Sequence, residues 1–143
     1  MCSSDLGGLV STAGDYLRFC RMLLGEGTLD GARIIGRKTL ELMTRNHLPG
    51  NRPIPDVIHA REYPSSYAGI GFGLGFFVTQ DTAASRVSGT PGQYYFSGAA
   101  GTFFWIDPAE ELAVVFMTQY IAWSPGPPDN RARELRAIVY GAL

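Results

Sequence analysis

The 143-residue chain is long enough for one compact domain, burying roughly two-thirds of the surface its unfolded form would expose. Twelve Lys and Arg against thirteen Asp and Glu leave a formal net charge of -1, which excludes the counterion-release signature of a nucleic-acid binder and a polybasic membrane patch. With 45% hydrophobic and 17% charged residues, and with 18 Gly and 9 Pro, the composition is that of a globular chain with many turns rather than a disordered chain or a helical bundle.

Met1 to Gly8 carries neither a basic n-region nor an apolar h-region, so no address is read there and the compartment stays open. No stretch approaches the ~20 apolar residues of a membrane span. Thr12 followed by Asp15 reads as a capping pair, and Tyr16, Phe19, Cys20, Leu23 and Leu24 recur at helical spacing until Gly25 stops the helix. Cys20 lies on the apolar face of this helix and reads as a core thiol; with Cys2 it forms neither a disulfide framework nor a Cys-x-x-Cys pair. After the turn-rich Gly25 to Gly31, Arg33, Ile34 and Ile35 predict a short extended piece, and Thr39, Leu40, Leu42 and Met43 a second amphipathic helix. Leu48 to Ser66 holds four prolines without a period and predicts a long loop rather than an element.

The second half predicts strands at Gly71 to Val78, Gln93 to Ser97, Thr102 to Ile106 and Leu112 to Thr118, an antiparallel meander. The glycines of the first suggest close backbone approach within a buried strand. A polar turn region follows Val78. The last two strands are joined by Asp107 to Glu111, where Pro108 presets the turn and Asp107 can accept a local hydrogen bond. After the Pro-rich break Trp123 to Asp129, Asp129 N-caps a closing helix whose Leu135, Ile138, Val139 and Leu143 form an apolar stripe. The expected fold class is α+β: an antiparallel sheet packed with helices and closed by a C-terminal helix.

Most chemical classes find no support in the residues. His47 and His59, with Asp56 and Glu62, sit around the Pro-rich loop at no established ligand spacing, so no metal site is expected. Gly69 to Gly75 resembles a nucleotide loop only superficially, since Phe76 stands where the fingerprint needs its third glycine and no P-loop lysine is near; no cofactor is expected. Tyr94, Tyr95, Phe96, Phe103, Phe104 and Trp105 lack the basic interleaving of a base-stacking surface and read as core and pocket lining. Neither Gly-x-Ser-x-Gly nor Ser-x-x-Lys occurs. Ser97 to Thr102 is a run of small residues at a strand end, either a tight connection or a place where a ligand reaches backbone N–H groups.

Several segments, in order, resemble the serine β-lactamase-like hydrolases, and especially the esterases related to class C β-lactamases (family VIII carboxylesterase type): Gly7 to Ala13, Leu29-Asp30-Gly31 with Ile34-Ile35, Leu40 to Thr44, Gly71 to Phe76, and Gly98 to Thr102 with Trp105 to Pro108. The resemblance covers residues 7–143 as the C-terminal portion of a β-lactamase/transpeptidase-like domain, leaving residues 1–6 unmatched. It implies the last three strands of that family's sheet and an acyl-enzyme mechanism whose Ser-x-x-Lys and Tyr-x-Asn motifs have no counterpart here. The third motif, Lys-Thr-Gly in lactamases and commonly Trp-Gly-Gly in the esterases, falls on Phe96-Ser97-Gly98, which are the substrate-binding candidates. Phe96 cannot hold a β-lactam carboxylate as a lysine does, which favours ester chemistry. The backbone N–H of Ala99 is the implied oxyanion-hole donor, and Ser97 is either a donor to substrate or a solvated hydroxyl.

The resemblance thus implies a hydrolase for small ester or β-lactam-like substrates of which this chain carries one wall, inactive alone. The alternative is a non-catalytic binding or structural module that completes a sheet with another chain. Leu112 to Thr118, interior in the family, becomes an apolar edge open to such association. A chain cut short by an incomplete gene prediction is a further possibility, which an in-frame Ser-x-x-Lys upstream of Met1 would reveal.

Overall fold

The structure is a computed structural model that describes residues 10–57, 67–98, 100–120 and 131–143. Helix α1 spans Ala13–Leu24. Thr12 caps it, its Oγ1 accepting from the Asp15 N–H at 3.1 Å, while Asp15 sits in the first turn where a carboxylate suits the helix dipole. Gly25 ends it: the Gly25 N–H reaches the Arg21 carbonyl at 2.8 Å, and a Cβ there would stand 2.5 Å from the Thr28 carbonyl oxygen. A small hairpin, β1 (Thr28–Leu29) and β2 (Ala32–Arg33), leads to α2 (Arg37–Met43). The extended piece therefore closes at Arg33 rather than running on to Ile35. In α2 only Leu40 is fully buried, and Leu42 faces out.

The Pro-rich segment was expected to be without elements, yet it holds a 3-10 turn at Pro49–Asn51 and the single-turn helix α3 at Ile54–Val57. Proline is admitted at the first position of a helix, and Ile54 supplies the buried anchor. Its continuation, residues 58–66, lies outside the described residues.

The expected strand Gly71 to Val78 is instead two strands, β3 (Ile70–Phe72) and β4 (Phe77–Thr79), paired as a hairpin with Phe72 opposite Phe77. The glycines do mark close approach, but between the turn and the strap after α2. A Cβ on Gly73 would stand 2.2 Å from the Met43 carbonyl oxygen, and one on Gly71 2.4 Å from Asn46 Cγ. Asn46 fastens that strap: its Oδ1 accepts from Leu48 N–H at 3.1 Å and Phe72 N–H at 3.0 Å, and its Nδ2 donates to the Arg52 carbonyl at 3.0 Å. The His47 N–H donates to the Phe72 carbonyl at 2.8 Å. The β3 edge of the sheet is thereby covered.

The polar turn region contains α4 (Thr82–Ser85), N-capped by Asp81. The meander then runs through β5 (Tyr94–Ser97), β6 (Phe103–Asp107) and β7 (Leu112–Phe116), giving one antiparallel five-stranded sheet in the order β3-β4-β5-β6-β7. These last three strands are those expected, each with slightly different ends.

One face of the sheet packs on α1. Tyr94, Phe104, Ile106, Phe76 and Val78 meet Cys20 and Leu23, with Tyr16 beside them, its ring 5.1 Å from that of Phe104. The other face carries the closing helix α5 (Arg131–Tyr140). Here the expected stripe holds only in half: Leu135 and Val139 are half-buried, Ile138 and Leu143 are 70% and 73% exposed, and Arg136 and Tyr140, four residues apart, face the sheet. The reason is the surface that the helix meets. That face presents buried Gln93 and Asp107 among aromatic rings, so it needs donors rather than more apolar surface. The Arg136 guanidinium lies 4.8 Å over the Tyr95 ring and 4.7 Å over Trp105 and donates to Gln93 Oε1. Asp107 does not serve its own turn. It accepts from the Thr90 N–H at 3.0 Å, the Thr90 hydroxyl, and the Tyr140 hydroxyl at 2.7 Å. The Asp129 cap lies outside the described residues.

Candidate functional site

The Phe96-Ser97-Gly98 segment closes β5 in the middle of the sheet, with Phe96 opposite Phe104 and Ser97 opposite Phe103. Beyond it the chain folds into a tight turn. Gly98 N–H donates to the Thr102 carbonyl at 2.8 Å and Gly101 N–H to the Gly98 carbonyl at 3.0 Å. A Cβ at position 98 would stand 2.8 Å from Thr102 Oγ1, so a larger residue there needs the Thr102 side chain to shift. Gly101 adopts φ +74°, the left-handed region that glycine enters freely. Ala99 lies outside the described residues.

The turn is braced from a distant part of the chain. Tyr120 N–H donates to the Ala100 carbonyl at 3.0 Å, and the Arg131 guanidinium sits 4.4 Å over the Tyr120 ring. Nothing in the sequence marks Tyr120 or Arg131 for this task, since they meet the turn only through the fold.

Beside the turn opens a hollow of about 740 Å³, lined among others by Tyr16, Phe19, Ala100, Thr102, Met117 and Thr118. It is framed by the first turn of α1 and the chain just after β7. Tyr16 and Phe19 were expected as core residues of an amphipathic helix. Tyr16 is half-buried and Phe19 is 38% exposed on the rim. The hollow offers hydroxyls from Ser11, Thr102 and Thr118 and the Asp15 carboxylate, and among the described residues neither Lys nor His lines it.

Of the aromatic candidates, Tyr94, Phe104 and Trp105 are buried core, while Phe96 keeps 39% of its surface exposed at the strand end. Burial pushes the Tyr95 phenol up to about 12, against the pull of Arg136, and raises Tyr94 as well, so neither phenol exchanges protons near neutral pH. Cys20 is fully buried and burial pushes its thiol up to about 11. His47 Nε2 donates to the Leu42 carbonyl at 2.8 Å, and its backbone holds β3, a structural role. His59 and Glu62 lie outside the described residues. Among the described residues no group of three or more His, Cys, Asp and Glu side chains could hold a metal, and no helix is long and apolar enough to cross a membrane.

Comparison with known proteins places this geometry. The beta-lactamase family model matches residues 3–138. Protein Rv1367c of Mycobacterium tuberculosis strain H37Rv and protein MT1414 of strain CDC 1551 are each 38% identical over 117 residues, 80% of this chain. The chain spans only 28% of the length of these relatives. Among solved structures it is similar in fold to EstCE1, a hydrolase with promiscuous acyltransferase activity (TM-score 0.68, 23% identity, 90% of this chain and 29% of that one). It is similar also to simvastatin synthase (LovD) from Aspergillus terreus (TM-score 0.69, 21% identity, 90% of this chain and 34% of that one). With the family model matched over nearly its whole length, the chain belongs to the beta-lactamase family.

Proposed function

We propose that this chain is the C-terminal part of a serine hydrolase domain of the carboxylesterase type, supplying one wall of an acyl-transfer site. In this reading the Phe96-Ser97-Gly98 strand end lines the substrate, and the Ala99 backbone N–H is one of two donors to the oxyanion. The serine nucleophile, its lysine base and the proton-transferring tyrosine belong to a segment outside these 143 residues. The observation that carries the reading is the braced turn after β5, a strand end in the centre of the sheet closed by the Gly98 and Gly101 N–H groups and tied to Tyr120. The membership of the chain in the beta-lactamase family and its fold likeness to a hydrolase with promiscuous acyltransferase activity support it. Preorganised backbone donors aimed at the developing oxyanion are usually the largest single contribution to such catalysis.

The test joins residues 10–143 to the nucleophile-bearing N-terminal portion of a family hydrolase and follows short-chain ester hydrolysis. The expected result is activity that falls by about two to three orders of magnitude on Ala99→Pro, which removes the N–H. Activity that survives Ala99→Pro in a folded chimera overturns the assignment of Ala99.

A second reading, a non-catalytic module that completes a sheet with another chain, is favoured by one feature. The β3 edge is covered by the strap at residues 46–48, whereas among the described residues β7 pairs only with β6 and stands at the other edge. An apolar edge without charge or proline is suited to pairing with a further strand. Stable association that is lost on Val114→Lys supports this reading; a monomer at all concentrations counts against it.

A further inference from the structure

The described residues place a cluster of rings directly behind the candidate motif. Phe77, almost fully buried, stacks on Phe96 at 5.3 Å with the planes 14° apart, and on Tyr95 at 5.4 Å and 29°. Phe72 meets Phe77 edge-on at 5.2 Å and Phe96 at 6.5 Å. Tyr67 adds a tilted contact to Phe77 at 5.2 Å. On the far side Tyr95 is held under Arg136. Four rings and a guanidinium are thus spent on holding the neighbourhood of one half-open ring. With Ile54, Ile70 and Leu48 these rings form the second hydrophobic cluster of the molecule, and Phe96 leans on its edge while keeping 39% of its surface open.

A ring held this way loses little freedom when something flat lies on it, and an offset or edge-on aromatic pair is stabilised beyond its buried area. The strand end itself, Phe96-Ser97-Gly98, carries no charge to attract an anion or a cation. We propose that Phe96, positioned by Phe77 and Phe72, is a specificity-determining platform that selects neutral esters bearing an aryl group over saturated ones of equal size. The proposal rests on the reading that this strand end is a substrate wall. It adds the substrate class and assigns positioning roles to Phe72 and Phe77.

The test titrates the 15N-labelled 143-residue chain with phenyl acetate, cyclohexyl acetate and benzoate and follows its amide NMR shifts. Phenyl acetate is expected to bind about three- to tenfold tighter than cyclohexyl acetate, the range that one aromatic pair supplies, and benzoate more weakly than phenyl acetate. Phe96→Leu should erase the aryl preference, Phe96→Trp should restore it, and Phe77→Leu should reduce it. The thermal midpoint of each variant is measured alongside, because a purely structural role moves the midpoint without moving the aryl-to-cyclohexyl ratio. Equal binding of the two acetates, with shifts at Ser97 and Gly98, overturns the platform and leaves the wall standing. Binding of neither acetate overturns the platform, while the wall stands or falls with the Ala99→Pro chimera.

Discussion

Single positions in this chain are decided by space more than by conformation. Gly73 has nowhere to put a Cβ, because the Met43 carbonyl oxygen stands 2.2 Å from where it would be and is itself engaged by the Leu74 N–H at 2.9 Å. Gly73→Ala is therefore expected to cost about 1–3 kcal/mol as overpacking against backbone. Gly14→Ala, whose new methyl meets nothing closer than 3.8 Å within a helix, should be neutral or stabilising by under about 1 kcal/mol. Denaturant midpoints of the two variants check the contrast. Cys20 follows similar logic. Its thiol is fully buried and raised to about 11 by burial, so at pH 8 iodoacetamide should leave the Cys20 peptide unmodified until denaturant is added. Modification in the native protein at a rate typical of an exposed thiol would contradict this packing. At this scale the sequence was readable in part. The glycine run announced close approach, but Gly71 to Val78 reads the same whether the chain continues straight or turns back, because the partner that forces the turn is Met43, remote in sequence.

Among the elements, α1 was legible to the residue because its cap and stop are local: Thr12 with Asp15 at one end, Gly25 at the other. The closing helix was legible as an element but only half so in its buried face, for the opposite reason: the face a helix buries depends on its partner surface, and the back of this sheet offers Gln93, Asp107, Tyr95 and Trp105. The network has a measurable consequence. Tyr140→Phe removes the 2.7 Å hydrogen bond to Asp107 and the 3.3 Å contact with Gln93 Oε1, and should cost about 1–3 kcal/mol because a buried carboxylate loses a donor. Arg136→Ala should cost more than Arg136→Met, which keeps the fill between two rings. Urea titrations of the variants give the order. The candidate site divides the same way. Its strand end was visible as a run of small residues, while the hollow was not, since its walls come from Tyr16 and Phe19, Ala100 and Thr102, and Met117 to Gln119, three stretches that only the sheet brings together.

For the molecule as a whole, alkaline pH is the informative axis. The phenols of Tyr94, Tyr95 and Tyr140 are all raised above their ordinary value of 10.0, by burial first, with Cys20 adding to the shift at Tyr94 and the hydrogen bond to Asp107 adding to it at Tyr140. A raised pKa means that the folded chain holds protons that the unfolded chain releases. The stabilisation is full below pH 10 and is lost as pH rises toward the folded values. The guanidinium midpoint should thus be level to about pH 8, begin to fall as pH passes 9, where the unfolded Cys20 thiol ionises, and fall steeply above pH 10, while a midpoint unchanged to pH 11.5 would contradict a buried neutral thiol and phenols. The division of labour proposed for the whole domain is tested most directly by covalent labelling. The purified 143-residue chain, folded by circular dichroism, is treated with a fluorophosphonate and its serines are read by mass spectrometry. A wall without a nucleophile leaves every serine unlabelled, Ser97 included; an adduct on any serine of this chain, abolished by prior denaturation, would show that the site is complete here and that the account is wrong.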